Sequence, residues 1–167
     1  MLPVHLDLTN QQVLIAGGGK IAARRVEALC IEACQITIVS PDVSKEMSRL
    51  IDTYNLNWKE KKVDAKDIED AFFIVAATND PAVNKWIAQT ARPHQLVNCV
   101  SQSELGNVIV PKVVKAGKVT ISVSTSGASP ARTKQLAAEI ETLLEQEDVG
   151  ALDALYIERK NQQRKSR

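Results

Sequence analysis

The sequence offers almost nothing from which a metal centre or a nucleophilic triad could be built. Its 167 residues include two histidines, His5 and His94, and three cysteines, Cys30, Cys34 and Cys99, with no paired metal-ligand spacing. There is no HExxH, no CxxC and no defensible Ser-His-Asp arrangement. The cysteines read as small core residues of a reducing compartment. No uninterrupted apolar run of ~18 residues occurs, which argues against a spanning helix. The opening MLPVHLDLTNQQ has no basic stretch leading into an apolar core. The net charge of only +1 gives no global field directed at nucleic acid or an acidic membrane. The last ten residues, ERKNQQRKSR, set five basic residues against one acidic. Lacking interleaved aromatics, they read as a solvated helix end and not as a nucleic-acid arm. A soluble, cytoplasmic protein with neither membrane nor nucleic-acid partner is expected.

What is present is alternation. A chain of this length favours one domain with a small appendage, and at about 150 residues it buries enough surface to fold without disulfides or a structural metal. QQVLIA reads as a buried strand, Lys20–Ile31 as a helix and QITIVS as a second strand. PDVSKEMSRLIDTY reads as a helix opened by Pro41 and Asp42. LNWKEKKV alternates like a half-exposed edge strand, AKDIEDA makes a short turn, and FFIVAAT is continuously apolar, as a central parallel strand is. DPAVNKWIAQTAR gives a helix with Asp80 as N-cap and Pro81 at its first position, and LVNCV the next strand. The β-α-β rhythm predicts an open parallel sheet covered by helices on both faces.

After Ser101 the rhythm changes. NVIVPKVVKAGKVTISVST reads as two antiparallel strands joined at Ala116–Gly117. SGASPARTKQLAAEIETLLEQ reads as a turn and an amphipathic helix with Leu136, Ile140, Leu143 and Leu144 on one face. A last helix is expected from Ala151 to about Lys160. The seam near Ser101–Gly106 divides the chain into residues 1–106 and 107–167.

The polar motifs fall at the ends of these elements. Gly17-Gly18-Gly19-Lys20-Ile21-Ala22 fits G-x-G-x-x-A between a strand and a helix, the context that gives the motif meaning. Gly17 permits a sharp turn, Gly19 lets backbone approach a pyrophosphate, and Ala22 lets helix and strand pack closely. Unpaired amides at the helix start suit anionic phosphates. The acidic residue due about 20 positions later is not clean. Asp42 serves either the ribose hydroxyls or the cap of the following helix, and no arginine stands there for a 2′-phosphate, so NAD is favoured over NADP. Thr78-Asn79-Asp80 lies at the carboxyl end of the fourth strand, where ligands sit in such sheets. In STSGASPARTK, Ser129 before Pro130 marks a helix cap with a basic first turn, suited equally to structure or to a carboxylate ligand.

Taken together, these residues resemble the precorrin-2 dehydrogenase family, the NAD-dependent module of sirohaem synthases. The resemblance runs from LPVHLDLTNQQVLIAGGGKIAARRVEAL through ITIVSP, AFFIVAATNDPAVN, LVNCV and GNVIVP to VTISVSTSGASPA, nearly all of residues 2–140. It implies a Rossmann-like domain over residues 1–106 followed by a dimerisation and helical region over 107–167. It implies oxidation of precorrin-2 to sirohydrochlorin with NAD as hydride acceptor, in a homodimer that exchanges elements after the Rossmann part. By the same resemblance Gly17, Gly18, Gly19, Lys20, Ile21, Pro41, Asp42, Thr78, Asn79 and Asn98 hold NAD. Asn107, Ser126, Gly127, Ser129 and Arg132 meet a substrate bearing eight carboxylates. The family pattern Asn-x-Val-Asp supplies an aspartate proposed as general base, and here Asn98-Cys99-Val100 ends in Ser101. A neutral hydroxyl cannot replace a carboxylate as base at neutral pH. The catalytic expectation therefore falls on Ser101 and Glu104, with proton loss to solvent as the other route. A bifunctional dehydrogenase–ferrochelatase and a non-catalytic NAD-binding sensor are the alternatives, and no resident metal is expected.

Overall fold

Short apolar segments set the architecture. In a computed structural model that describes residues 2–145 and 150–165, five of them become parallel strands. These are β1 (Gln12–Ala16), β2 (Gln35–Val39), β3 (Asn57–Lys59), β4 (Phe73–Ala76) and β5 (Leu96–Cys99), in the spatial order β3-β2-β1-β4-β5. Ile15 of β1 pairs with Ile38 on one side and Val75 on the other. All four β4 residues are buried, as a strand covered on both faces requires. The chain starts in the middle, runs out to β3 and returns beside β1, so the order reverses between β1 and β4. That reversal is where a Rossmann-like sheet opens its crevice.

Four helices cover this sheet: α1 (Lys20–Leu29), α2 (Lys45–Tyr54), α3 (Ala65–Glu69) and α4 (Pro81–Thr90). Leu14, Ala16, Ile74, Ala76, Val97 and Cys99 form one core with Ile68 of α3 and Ile87 of α4. Cys99 is thus a core residue, whereas Cys30 and Cys34 are only half-buried, and all three thiols are free. α2 starts four residues later than the Pro41-Asp42 pair suggests. The Ser44 amide donates to the Gly18 carbonyl at 2.8 Å, and the Ser44 hydroxyl accepts the Met47 amide at 3.2 Å. The helix therefore begins only beyond that tether. AKDIEDA, expected as a turn, is the short helix α3, opened by a reciprocal capping box between Asp64 and Asp67. Asp67, its side chain 2% exposed, also meets Lys59 at 3.1 Å and Lys61 at 2.7 Å. These contacts fasten α3 to the end of β3.

The chain divides into two compact units between Ile109 and Val110. The second contains the antiparallel hairpin β6 (Lys112–Ala116) and β7 (Val119–Val123), closed by Gly117 at φ +53° and Lys118. α5 (Pro130–Glu145) and α6 (Gly150–Lys165) follow. Ala137 and Leu144 of α5 are buried with Val114 and Val123, and Leu136 and Ile140 pack at the margin. Leu143, expected on that face, is 60% exposed. It is next to Leu144, about 100° away around the helix, and so turns outward. α6 exposes Leu152, Leu155, Tyr156 and Ile157 and extends beyond the expected end at Lys160. Of the basic tail, Ser166 and Arg167 lie outside the described residues. No helix among the described residues is long and apolar enough to cross a membrane.

Candidate functional site

The three glycines after β1 do three different things. Gly17 sits at φ +120°, a conformation that side chains rarely adopt, and a β-carbon on it would run into the Ala77 carbonyl oxygen. Its amide donates to the Val39 carbonyl at 3.0 Å, so the turn is tied to β2 as it closes on the end of β4. A β-carbon on Gly18 would collide with the Asp42 carbonyl oxygen and lie 2.9 Å from the Val43 α-carbon. Gly19 is extended, with φ −78° and ψ −178°, and nothing lies within 4 Å of the position its β-carbon would take. The fold needs the first two glycines, and it leaves the space at the third open.

That space adjoins the start of α1. The helix has no side-chain cap and no acidic residue in its first turn. Its leading amides and the positive end of its dipole are therefore available to an anion. Lys20 and Ile21 in this turn are exposed, and Ala22 behind them is fully buried, as close packing requires. The residues present fit a dinucleotide pyrophosphate: an open approach at Gly19, uncapped amides, and no competing carboxylate. Pro41 and Asp42 lie alongside, with the Asp42 backbone against Gly18. Ser44 caps α2, so Asp42 does not, and its exposed carboxylate has no partner among the described residues.

At the end of β4, Asp80 caps α4 by accepting the Ala82 amide at 2.8 Å and the Val83 amide at 3.4 Å. Asn79 is exposed. Thr78 is bound to Asn84, a residue for which the sequence motifs give no role. Asn84 is fully buried on α4. Its Oδ1 accepts the Thr78 amide at 3.0 Å and the Thr78 hydroxyl at 2.8 Å. Its Nδ2 donates to the Thr78 carbonyl at 3.0 Å and to the Ser101 hydroxyl at 3.2 Å. The available signal was a polar side chain on the buried stripe of an amphipathic helix, one turn before Ile87.

The structure thus brings Ser101 and Thr78 onto one amide at the carboxyl edge of the sheet. Glu104 lies in a short 3₁₀ turn, Ser103–Leu105, exposed and with no hydrogen-bond partner among the described residues. Asn98 is 4% exposed; its Nδ2 donates to the Val108 carbonyl at 3.0 Å and its Oδ1 has no partner among the described residues. Asn107, expected as a substrate ligand, is exposed and spends one acceptor and one donor direction on β5. Its Oδ1 accepts the Val97 amide at 2.7 Å and its Nδ2 donates to the Gln95 carbonyl at 2.9 Å. It completes the free edge of β5, and the chain reaches it through Gly106, where a β-carbon would strike the Val97 carbonyl oxygen.

In the second unit, Ser126 at φ +52° and Gly127 at φ +86° make a left-handed turn into α5. The Thr125 hydroxyl accepts the Ser129 amide at 3.1 Å and lies 2.9 Å from the Thr133 hydroxyl. The Ser129 hydroxyl accepts the Arg132 amide at 3.1 Å, which makes it the helix cap. Arg132 is exposed, its Nη1 3.9 Å from Glu139. Among the described residues no cluster of three or more His, Cys, Asp or Glu could hold a metal ion.

Comparison with known proteins places these features. The family model for NAD(P)-binding domains matches residues 4–112. The precorrin-2 dehydrogenase of Bacillus subtilis is 50% identical over 156 residues, 93% of this chain and 96% of that one. The precorrin-2 dehydrogenase of Priestia megaterium is 41% identical over 85% of this chain and 70% of its own. The solved structure of SirC, precorrin-2 dehydrogenase, superposes with a TM-score of 0.76 at 40% identity, covering 85% of this chain and 70% of that one. The siroheme synthase of Zymomonas mobilis is 33% identical over 87% of this chain, which spans only 31% of that longer protein. A sequence likeness along almost the whole length of one relative, with the fold of another matched over 70% of its chain, settles kinship: the chain belongs to the precorrin-2 dehydrogenase family.

Proposed function

We infer that this protein oxidises precorrin-2 to sirohydrochlorin with NAD as hydride acceptor. The substrate half of the reading rests on the 50% identity with a precorrin-2 dehydrogenase along nearly its whole length, and the observation that carries the cofactor half is the glycine turn: Gly17 and Gly18 are required by the fold, and Gly19 leaves an approach to uncapped amides that the described residues do not fill. In this assignment Gly17–Gly19 and the amides of Lys20 and Ile21 hold the pyrophosphate. The free carboxylate of Asp42, beside Pro41, accepts from the ribose hydroxyls. Thr78, Asn79 and Asn98 line the nicotinamide end of the crevice, where the unpartnered Asn98 Oδ1 is an acceptor for a carboxamide or a water.

NAD, when bound, accepts the hydride, and the protein's task is to place it against one macrocycle carbon. Holding the two in register supplies much of the rate advantage. The proton released with the hydride must leave the substrate, and the carboxylate of Glu104, beyond the end of β5, is our candidate to take it. Ser101 cannot be that base, because a neutral hydroxyl holds its proton at neutral pH. Ser126, Gly127, Ser129 and Arg132 offer donors and positive charge suited to substrate carboxylates. We also propose that two copies associate through the second unit. What supports this is the run of exposed apolar side chains on its helices, Leu143 on α5 and Leu152, Leu155, Tyr156 and Ile157 on α6, which a second copy would cover.

The test is anaerobic incubation with precorrin-2 and NAD, following NADH absorbance and the sirohydrochlorin spectrum. NADH and sirohydrochlorin should appear in equal amounts. NAD binding without turnover would overturn the reading in favour of a sensor.

A further inference from the structure

A primary amide offers four hydrogen-bonding directions, two accepting and two donating. In Asn84 all four are used, three on Thr78 and one on Ser101. Because the side chain is fully buried, water does not compete for these bonds. Thr78 lies two residues beyond β4, and its amide nitrogen is 3.0 Å from where a β-carbon on Gly17 would stand. Ser101 follows β5. One side chain therefore ties together the tips of two strands beside the crevice.

The bond to Ser101 also has a direction. Asn84 Oδ1 is turned to Thr78, so only Nδ2 faces the serine, and Nδ2 can only donate. The Ser101 oxygen must accept, and its proton is left for another partner. Cys99 Sγ, 3.8 Å away, is a weak one. Ser101 is otherwise exposed.

We propose that Asn84 is a positioning residue that holds the Ser101 hydroxyl as a hydrogen-bond donor to a carboxylate of the bound tetrapyrrole. This rests on the reading that precorrin-2 is oxidised at this edge of the sheet. A neutral donor at this position binds an anionic substrate without itself taking part in the redox step.

Asn84→Asp tests the direction of the bond. The substitution preserves size and both acceptor contacts with Thr78, but it puts an acceptor opposite Ser101, drawing the hydroxyl proton inward, and it also takes the donor away from the Thr78 carbonyl. Losing one hydrogen bond to a charged group should raise KM for precorrin-2 about tenfold at pH 8; the lost bond to the Thr78 carbonyl is read separately in the NAD dissociation constant, which Ser101→Ala, with Thr78 untouched, should leave at the wild-type value while KM rises. The ratio of variant to wild-type KM should narrow as the pH is lowered and the introduced carboxyl regains a proton to donate. The dissociation constant for sirohydrochlorin, titrated by absorbance without NAD, should rise in parallel. Ser101→Ala should reproduce the loss of tetrapyrrole affinity, Ser101→Thr should stay near wild type, and Asn84→Asp/Ser101→Ala should bind sirohydrochlorin, without NAD, no worse than Ser101→Ala.

Wild-type affinity for precorrin-2 and sirohydrochlorin in folded Asn84→Asp, or additive losses in the double variant, would overturn the proposal. If Asn84→Asp does not fold, the serine pair decides: Ser101→Ala binding like wild type would leave Asn84 nothing to position. If the unmodified protein fails to oxidise precorrin-2, the functional reading falls instead, and the sirohydrochlorin titration still judges Asn84.

Discussion

Replacing Gly18 and Gly19 in turn by valine separates folding from cofactor binding within a single turn. At Gly19 the backbone is extended, a conformation valine adopts without strain, and its β-carbon meets nothing within 4 Å. The folding cost is that of a poorer helix cap, about 1 kcal/mol, or roughly 2–4 °C in the unfolding midpoint for a chain of this size. At Gly18 the new β-carbon would overlap the Asp42 carbonyl oxygen and press on Val43 at 2.9 Å. These neighbours are backbone, so no side-chain rotation relieves the clash, and the Ser44–Gly18 bond at 2.8 Å sits at the same junction. Overpacking of that kind costs about 3 kcal/mol, or roughly 10 °C. For NAD the order inverts. The Gly19→Val side chain stands where phosphate must approach the amides, and losing one or two hydrogen bonds to a charged group, each about 1.5–3 kcal/mol, weakens binding roughly 100-fold. Thermal unfolding by circular dichroism and NAD titration by calorimetry give both quantities for both variants. A Gly19→Val protein that binds NAD like wild type would refute the assignment of that space to the cofactor. Equal stability of the two variants would refute the division of labour.

The remaining predictions concern other parts of the chain. Glu104→Gln should lower kcat about 100-fold if the carboxylate takes the proton, whereas Ser101→Ala should act mainly on KM; the reverse pattern would leave Glu104 a solvated loop residue. Burial pushes the Asp67 carboxyl up, but hydrogen bonds from Lys61, the Asp64 amide and Lys59 outweigh it and hold the group below its ordinary range. Its folded value therefore lies below the unfolded one, so its contribution is complete above about pH 4 and is lost as the pH falls through the folded value. Asp67→Asn should accordingly lower the unfolding midpoint at pH 7 and flatten the decline between about pH 5 and 3 seen in wild type; an unchanged acid limb would contradict this. Leu155→Glu on α6 should convert a dimer into the 18.3 kDa monomer in sedimentation velocity, and a monomeric wild type would refute association through the second unit.

Most of the sheet was legible because its strands are unambiguous runs. FIVA is apolar throughout and buried throughout, and VLIA leads directly into glycine. The start of α2 was not legible, although proline followed by aspartate is a sound local start signal. What overrides it is the hydrogen bond from Ser44 to Gly18, a partner 26 positions upstream that no local window contains. α3 escaped for another reason. Five residues carry too little periodicity to distinguish a helix from a turn, and its capping box closes with Asp67 where a glutamate or glutamine is the familiar signal.

The site shows the same limit at the level of single residues. The pattern G-x-G-x-x-A marked the turn, but it could not tell that Gly18 is enforced by Asp42 and that Gly19 is enforced by nothing among the described residues. Only that difference turns a tight corner into an opening. The asparagines make the point more sharply, since three of them bond to or from residues in or just after β5 and do unlike things. Asn107 completes the hydrogen bonding of β5, Asn84 joins two strand ends, and Asn98 keeps one buried acceptor without a partner. Side-chain chemistry is identical in all three, so composition and spacing cannot rank them. The ranking comes from which of their bonds the protein already satisfies. Asn107 spends one acceptor and one donor direction on β5, Asn84 has all four directions used and acts through Ser101, and Asn98 keeps a buried acceptor with no partner among the described residues.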